Sequence, residues 1–406
     1  MRAVIRGALA GTFLLTMGGA VSLAWPTQVA GEEAAVMTVG YLGLTPPDDR
    51  APVSPLDPEL DDEGVQGARL AIEDNNATGQ FLGQEFVLLE EILPRDGEIA
   101  AGLQALIDQG ADWIISGLPR DALLAVLDSA QGRERVIFNA RAPDNDLRGE
   151  HCRGNLFHTI PSRRMQADAL AQFLAYKRWN RWALVHGRTD EDERLAAAFR
   201  ESAQRFGARL TGEKQWPHTA MARRAEGGFH AIQREIPVFV QDLPEHDVLV
   251  IADETDYFGE YFPYQTRLPR PVAGTQGLTP VAWHRAHESW GGVQLHRRFE
   301  RLVERSMTPR DFAAWVAVRS LGEAASRTNS VAEEDVLAYM LSEDFALAAY
   351  LGLPVSYRSW DQQLRQPILI AGPRMVVSVS PQEGFEHPRT PMDTLGHDEP
   401  ESPCVL

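Results

Sequence analysis

The chain has 406 residues, long for one hydrophobic core and enough for two lobes of ordinary domain size. It is 44% apolar and 24% charged, the balance of a globular protein rather than a disordered or fibrous one. Its formal net charge of −18 excludes non-specific nucleic-acid binding, because a phosphate backbone demands a basic footprint.

Residues 1–30 read as a targeting segment. Arg2 and Arg6 form a basic start, Gly7–Ala24 is apolar and small, and a cut after Ala24 or Ala30 fits the pattern. The other reading is an uncleaved anchor, since the apolar run nearly reaches spanning length. Cleavage is the expectation, with a periplasmic product. No cysteine precedes Cys152 to carry an N-terminal lipid. Export permits disulfides, and the chain has two cysteines, Cys152 and Cys404. They form either one long-range bridge or two free thiols; the bridge is favoured because Cys404 lies in an otherwise loose tail.

Met37–Leu44 reads as the first strand, followed by a Pro- and Asp-rich loop, Thr45–Asp62. Val65, Ala68, Leu70, Ala71 and Ile72 form a helical stripe that ends near Gly79. Phe86–Leu89, Asp112–Ser116 and Val136–Phe138 read as strands, with helices at Ile99–Gln109 and Asp121–Ala130 between them. This alternation predicts a parallel sheet covered by helices. It restarts after Cys152, with Leu156–Ile160 as a link. Helices follow at Arg164–Lys177, Glu191–Phe206 and Phe229–Gln241, and strands at Trp182–His186, Ala208–Trp216, Asp247–Ala252 and Pro271–Gly274. Ala222–Gly228 reads as a surface loop. Val293–Ser306 and Asp311–Thr328 read as long amphipathic helices. The chain closes on antiparallel strands at Val355–Tyr357, Pro367–Ala371 and Met375–Ser380, and beyond Pro381 it reads as loose.

In open α/β sheets ligands bind beyond the carboxyl ends of strands. Arg141, three residues past Phe138, is the first candidate, and Ser116 and Gly117 offer a hydroxyl and backbone donors at a neighbouring strand end. Arg188, two residues past His186, is the counterpart in the other half. Asp253 and Glu254 follow the strand Asp247–Ala252, either as ligand contacts or as a solvated acidic loop. Trp283 is either a stacking platform or a core residue. His284, His287 and Glu288 lack a third ligand and the order of a zinc motif, and no metal is expected. Asp57–Glu63 lacks the glycine and closing glutamate of a calcium loop. No nucleophile elbow, P-loop or dinucleotide fingerprint occurs in a usable context, so the chain reads as no enzyme.

Gly64–Asn76 (GVQGARLAIEDNN) resembles the first helix of type I periplasmic solute-binding proteins of the branched-chain amino-acid receptor group. Leu156–Trp182, Gly274-Thr275-Gln276-Gly277 and Phe299–Ala325 are similar to later segments of that group. The resemblance implies an α/β fold of two Rossmann-like lobes with parallel sheets joined by a three-crossover hinge. Lobe one would be 37–145 with 278–350, lobe two 146–277 with 351–380, and 381–406 an extended tail. It further implies a monomer that delivers a small molecule to an ABC permease, with no required cofactor. Several positions depart from the group's amino-acid site. Ser116-Gly117 replaces a serine cluster, Asn139-Ala140-Arg141 replaces small residues and a threonine, and neutral Gln276 stands where an acid would hold an ammonium. A buried ammonium without a carboxylate is costly, whereas arginine grips carboxylates bidentately, so the expected ligand is an organic anion. TVGYLGL, NARAPDNDLR, CRGNLFHTIPS and the closing DTLG with Cys404 also resemble the substrate-binding-like protein of PQQ-dependent alcohol dehydrogenase systems. That resemblance makes PQQ the leading ligand and a PQQ-dependent dehydrogenase a partner. The alternative it leaves is a non-transport accessory or sensor docking on a dehydrogenase or membrane kinase.

Overall fold

The computed structural model describes residues 34–45, 60–218 and 228–406. The targeting segment, most of the loop after Thr45 and most of Ala222–Gly228 lie outside these residues. No helix among the described residues is long and apolar enough to cross a membrane.

Two parallel sheets organise the chain. The first holds β1 (Ala35–Leu44), β2 (Gln84–Leu93), β3 (Trp113–Gly117), β4 (Val136–Asn139) and β5 (Leu156–His158), in the order β2-β1-β3-β4-β5. The second holds β6 (Arg181–His186), β7 (Arg209–Gln215), β8 (Val248–Ala252) and β9 (Val272–Gly274), in the order β7-β6-β8-β9. Both central strands β3 and β8 are buried along their whole length, which is why they read as unbroken apolar runs rather than alternating ones.

Helices cover both sheets. In lobe one these are α1 (Val65–Gly79), α2 (Ile99–Asp108), α3 (Arg120–Asp128) and α4 (Ala130–Arg133). Lobe two contributes α5 (Arg163–Tyr176), α6 (Asp190–Arg205), α7 (Gly228–Phe239) and the short α8 (Phe262–Gln265). The chain then returns to lobe one as α9 (Gly292–Val303), α10 (Pro309–Thr328) and α11 (Glu333–Met340). Capping boxes start α6 (Thr189 with Asp192) and α10 (Thr308 with Asp311, Pro309 following). Asp311 also accepts from the Gly64 N–H at 2.8 Å, which locks the start of α1 to that of α10. The two helices approach backbone to backbone: a Cβ on Gly67 would lie 1.8 Å from the Asp311 carbonyl oxygen.

The lobe boundaries differ from those expected. Leu156–His158, read as a link inside lobe two, pairs with β4 as the edge of the first sheet, so the first crossover follows His158 rather than residue 145. The second falls at Val281, the end of β10 (Thr279–Val281), because Ala282 and Trp283 already sit in the core of lobe one. Val355, Tyr357 and Leu364 belong to that core as well, so the third crossover follows β11 (Ser356–Tyr357) and β12 (Leu364–Arg365) rather than starting at residue 351. β13 (Ile368–Gly372) and β14 (Met375–Ser380) then form an antiparallel sheet with β10, and Ile368 and Ile370 enter the core of lobe two. The crossovers are stitched together. Buried Arg148 donates to the carbonyls of Ala142, Asp144 and Ile160 at 2.9, 2.9 and 2.8 Å, and its Nε donates to Gln363 at 2.9 Å.

The tail is the other correction. Residues beyond Pro381 read as loose, yet Met392 and Leu395 are buried, and Leu395 joins the core of lobe two. The bridge between Cys152 and Cys404 is formed.

Candidate ligand-binding cleft

The carboxyl ends of β1, β3 and β4 form one wall. Tyr41, near the end of β1, is buried and donates its hydroxyl proton to the Glu63 carbonyl at 3.1 Å. Burial pushes its phenol well above the ordinary range. Arg141 lies past β4, and its Nη1 donates to the Gly117 carbonyl at the end of β3, 3.1 Å away. Glu63 pairs with Arg310 of α10 at 2.6 Å. Burial works against the Glu63 carboxylate, but Arg310 beside it holds its pKa below the usual range. Arg310 is raised in turn, chiefly by Glu63, with a smaller contribution from the charge of Glu254 on the other lobe.

Glu254 stands just past β8, so the carboxyl ends of the two sheets face each other. It accepts Arg163 Nε and Nη2 at 2.6 and 2.7 Å, while Arg163 Nη1 donates to Asp144 at 2.6 Å. Arg163 is the first residue of α5, directly after the first crossover, so this guanidinium ties a lobe-one loop to a lobe-two strand end. Burial raises the Glu254 pKa, and Arg163 opposes that rise. Asp192, from the α6 capping box, accepts the Glu254 N–H at 2.8 Å and fixes the same corner.

Each expected residue has a definite place. Gly117 and Arg141 come together on the first wall, and Glu254, past β8, is close enough to Arg310 on that side for its charge to act there. Asn139 shapes the turn that presents Arg141 rather than contacting a ligand: it is fully buried, its Oδ1 accepts from the N–H groups of Arg141 and Ala142, and its Nδ2 donates to the Ala142 carbonyl. Ser116 is likewise buried, its hydroxyl accepting from the Leu118 N–H at 3.3 Å. Asp253 is no ligand contact either. Its buried carboxylate accepts the N–H groups of Tyr257, Phe258 and Gly259 at 2.9, 2.8 and 2.6 Å and organises that loop. Burial pushes its pKa up to about 7, against the pull of those three bonds. Gln276 is partly buried and donates to Asp256 at 2.9 Å. Arg188 is exposed at the end of β6, donating to the Pro217 carbonyl at 2.9 Å. Trp283 is a core residue, 1% exposed and stacked on Phe312 with ring centroids 4.8 Å apart.

Tyr41, Glu63, Arg163 and Arg310 were not among the expected residues. A charged residue at a helix start reads as solvated, and only tertiary partners reveal Arg163 as a buried link and Arg310 as the half-buried partner of Glu63. Among possible metal ligands, Asp146, Glu150 and His151 bring their atoms within 4.8 Å of one another, but Arg120 already grips Asp146. His284 and His287 are turned to the backbone, accepting from Ala286 N and contacting Tyr350 O.

A two-lobed molecule with parallel sheets, facing strand ends and three crossovers has the type I periplasmic binding protein fold. Residues 54–224 match the family model described as a periplasmic binding protein. Three solved structures carry the likeness across most of the chain. A branched-chain amino-acid ABC transporter periplasmic ligand-binding protein from Burkholderia xenovorans superposes with a TM-score of 0.68 at 14% identity, covering 91% of this chain and 99% of that one. The leucine-, isoleucine-, valine-, threonine- and alanine-binding protein of Brucella ovis, in a closed conformation, gives 0.64 at 14% identity over 92% and 99%. An ABC transporter solute-binding protein from Rhodopseudomonas palustris, in complex with 3,4-dihydroxy benzoic acid, gives 0.58 at 13% identity over 83% and 93%. At these identities the likeness is one of fold. No curated protein matches the chain by sequence.

Proposed function

We propose that the chain is the solute-binding component of an ABC-type uptake system in the periplasm, closing its lobes on a small organic anion. The observation that carries the reading is the placement of Arg141, whose guanidinium is held over the end of β3 by the Gly117 carbonyl. A carboxylate entering there meets a fixed arginine with fork geometry. The lobe-two wall offers Glu254, already engaged by Arg163, and Gln276, tied to Asp256; neither is a carboxylate left to hold an ammonium. The leading ligand is PQQ, a flat tricarboxylate, and the physiological setting is PQQ-dependent alcohol oxidation. Hydroxylated aromatic acids are the second class, in keeping with the ligand of the Rhodopseudomonas palustris protein.

The test is a thermal-shift titration of the exported chain with PQQ, benzoate-type acids, short organic acids and amino acids. One acid should stabilise the fold by about 2.7 kcal/mol at a hundred times Kd, read as a rise in melting temperature that keeps growing with ligand concentration. Arg141→Ala should weaken binding by about 2 kcal/mol, roughly 30-fold, as expected for a lost charge-assisted contact. A response confined to amino acids, or one unchanged in Arg141→Ala, overturns the ligand class. No response to any small molecule, with retention on an immobilised dehydrogenase or sensor kinase, replaces transport with an accessory role.

A further inference from the structure

The bridge Cys152–Cys404 spans 252 residues of sequence and joins the loop before β5 to the end of the C-terminal tail. Cys152 sits on the loop that leads into β5 and is fixed to lobe one. Leu147 of that loop is in the lobe-one core, Arg153 reaches Asp128 at the end of α3 at 3.3 Å, and Asn155 donates to the carbonyls of Gly132 and Arg135 at 2.8 and 2.7 Å. The tail that carries Cys404 is fixed to lobe two and to the third crossover. Phe385 packs edge-on against Phe206, and Leu395 is in the lobe-two core. The Gly396 N–H donates to Asp168 at 2.9 Å, and its carbonyl accepts from Arg205 at 2.7 Å. Arg358, just past β11, donates to Asp393 and to the carbonyls of Leu395 and His397 at 3.0, 2.7 and 3.2 Å. Glu401 lies 3.6 Å from Arg205 and 3.9 Å from Arg164.

Between Glu401 on lobe two and Cys404 on lobe one there are only two residues, Ser402 and Pro403. Fully extended, that span reaches at most about 10 Å, and Pro403, at the Gly149 backbone, stiffens it. A long flexible tail would tether the lobes without restraining them, whereas this one has almost no slack. We infer that the C-terminal tail is a fourth connection between the lobes, and that Cys152–Cys404 limits the rotation the three crossovers permit. Reduction of the bridge frees the last residues while the hydrogen bonds of 385–401 keep the tail on lobe two. The inference rests on the two-lobed fold and not on the identity of the ligand.

The experiment compares the ligand-free oxidised chain, the same protein after reduction, and the Cys152→Ser/Cys404→Ser double variant. Reduction of already folded protein gives the comparison without refolding; a chain ending at Glu401 with Cys152→Ser removes the bridge and keeps the lobe-two anchors. Small-angle scattering reads the spread of the lobes, and hydrogen exchange reads residues 159–163, 358–367 and 385–401. The expected result is a larger radius of gyration and roughly tenfold faster exchange at the crossovers in every unbridged form, with 385–401 still protected. Unchanged scattering and unchanged crossover exchange, with faster exchange only beyond residue 401 or along the tail, would make the bridge a local staple and overturn the inference.

Discussion

Arg163→Met should be the most informative single change in the cleft. The guanidinium is 4% exposed and makes three charge-assisted bonds of 2.6, 2.7 and 2.6 Å to Glu254 and Asp144, whose side chains are 26% and 5% exposed. Methionine keeps the methylene stem and removes only the charge and the donors. Breaking a buried pair from one side costs about 3–5 kcal/mol. Arg194 stands 3.5 Å from Asp144 and Glu254 is partly solvated, so about 3 kcal/mol is the appropriate value here. For a body spanning Ala34–Leu406, unfolding entropy of about 2.1 cal/mol/K per residue sums to about 0.8 kcal/mol/K, so the melting temperature should fall by about 4 °C. The pH dependence identifies the cause. Burial already raises the Glu254 pKa, and losing Arg163 raises it further. A carboxylic acid whose folded pKa exceeds its unfolded one costs stability as pH rises through that interval. The deficit should therefore be largest near about pH 7.5 and shrink toward about pH 5, where protonation discharges the abandoned carboxylate. Urea unfolding across that range is the assay. A fall under about 1 °C, or a deficit independent of pH, would refute the assignment of Arg163 as a buried inter-lobe link.

Two further changes probe the supports of the site. Asp253, pushed up to about 7 by burial, keeps its proton in the folded chain over a range where the unfolded chain has lost it. This group therefore makes stability fall between about pH 4 and about pH 7; Asp253→Asn should flatten that slope and loosen residues 257–259, read by urea unfolding and hydrogen exchange. An unchanged slope would assign the titration elsewhere. Arg358→Met should cost about 3 kcal/mol, because it strips a buried cation from Asp393 and from the tail carbonyls. Exchange should rise over 390–397 while the core of lobe one stays protected, and a uniform loss of protection across both lobes would contradict this local role.

The sheets were legible where a strand is a long buried run. DVLVIA and DWIIS can be little else between helices of amphipathic period. β5 was not legible, because three residues, Leu156-Phe157-His158, carry no periodicity and become a strand only through their pairing with β4. The order of the tail was hidden for a related reason. Its composition is polar and rich in proline, and what holds it is Arg358, Asp168 and a bridge to a residue 252 positions away. Arg141 was placed correctly at a strand end because strand-end position follows from local pattern. Whether Trp283 lines a cleft or fills a core does not follow from local pattern, and the stack on Phe312 decides it. Asn139 and Asp253 show the converse: a polar residue just past a strand is as apt to satisfy the turn it begins as to meet a ligand.

The departures from the amino-acid receptor pattern are physically coupled through Tyr41. Its hydroxyl occupies the space above two glycines: a Cβ on Gly117 would lie 2.2 Å from it and a Cβ on Gly64 2.4 Å. Gly64 is further required by its φ of 92°, at the turn that opens α1. A serine at position 117, of the kind that clusters of hydroxyls require, would therefore force this tyrosine to shift. With Tyr41 in place, the end of β3 presents a bare backbone, and the Gly117 carbonyl accepts Arg141. The same tyrosine anchors the Glu63 backbone, which leaves the Glu63 side chain to pair with Arg310. One aromatic residue in the first strand thus fills the space that a side chain at position 117 would need and, through the Glu63 backbone, stands beside the ion pair of Glu63 with Arg310.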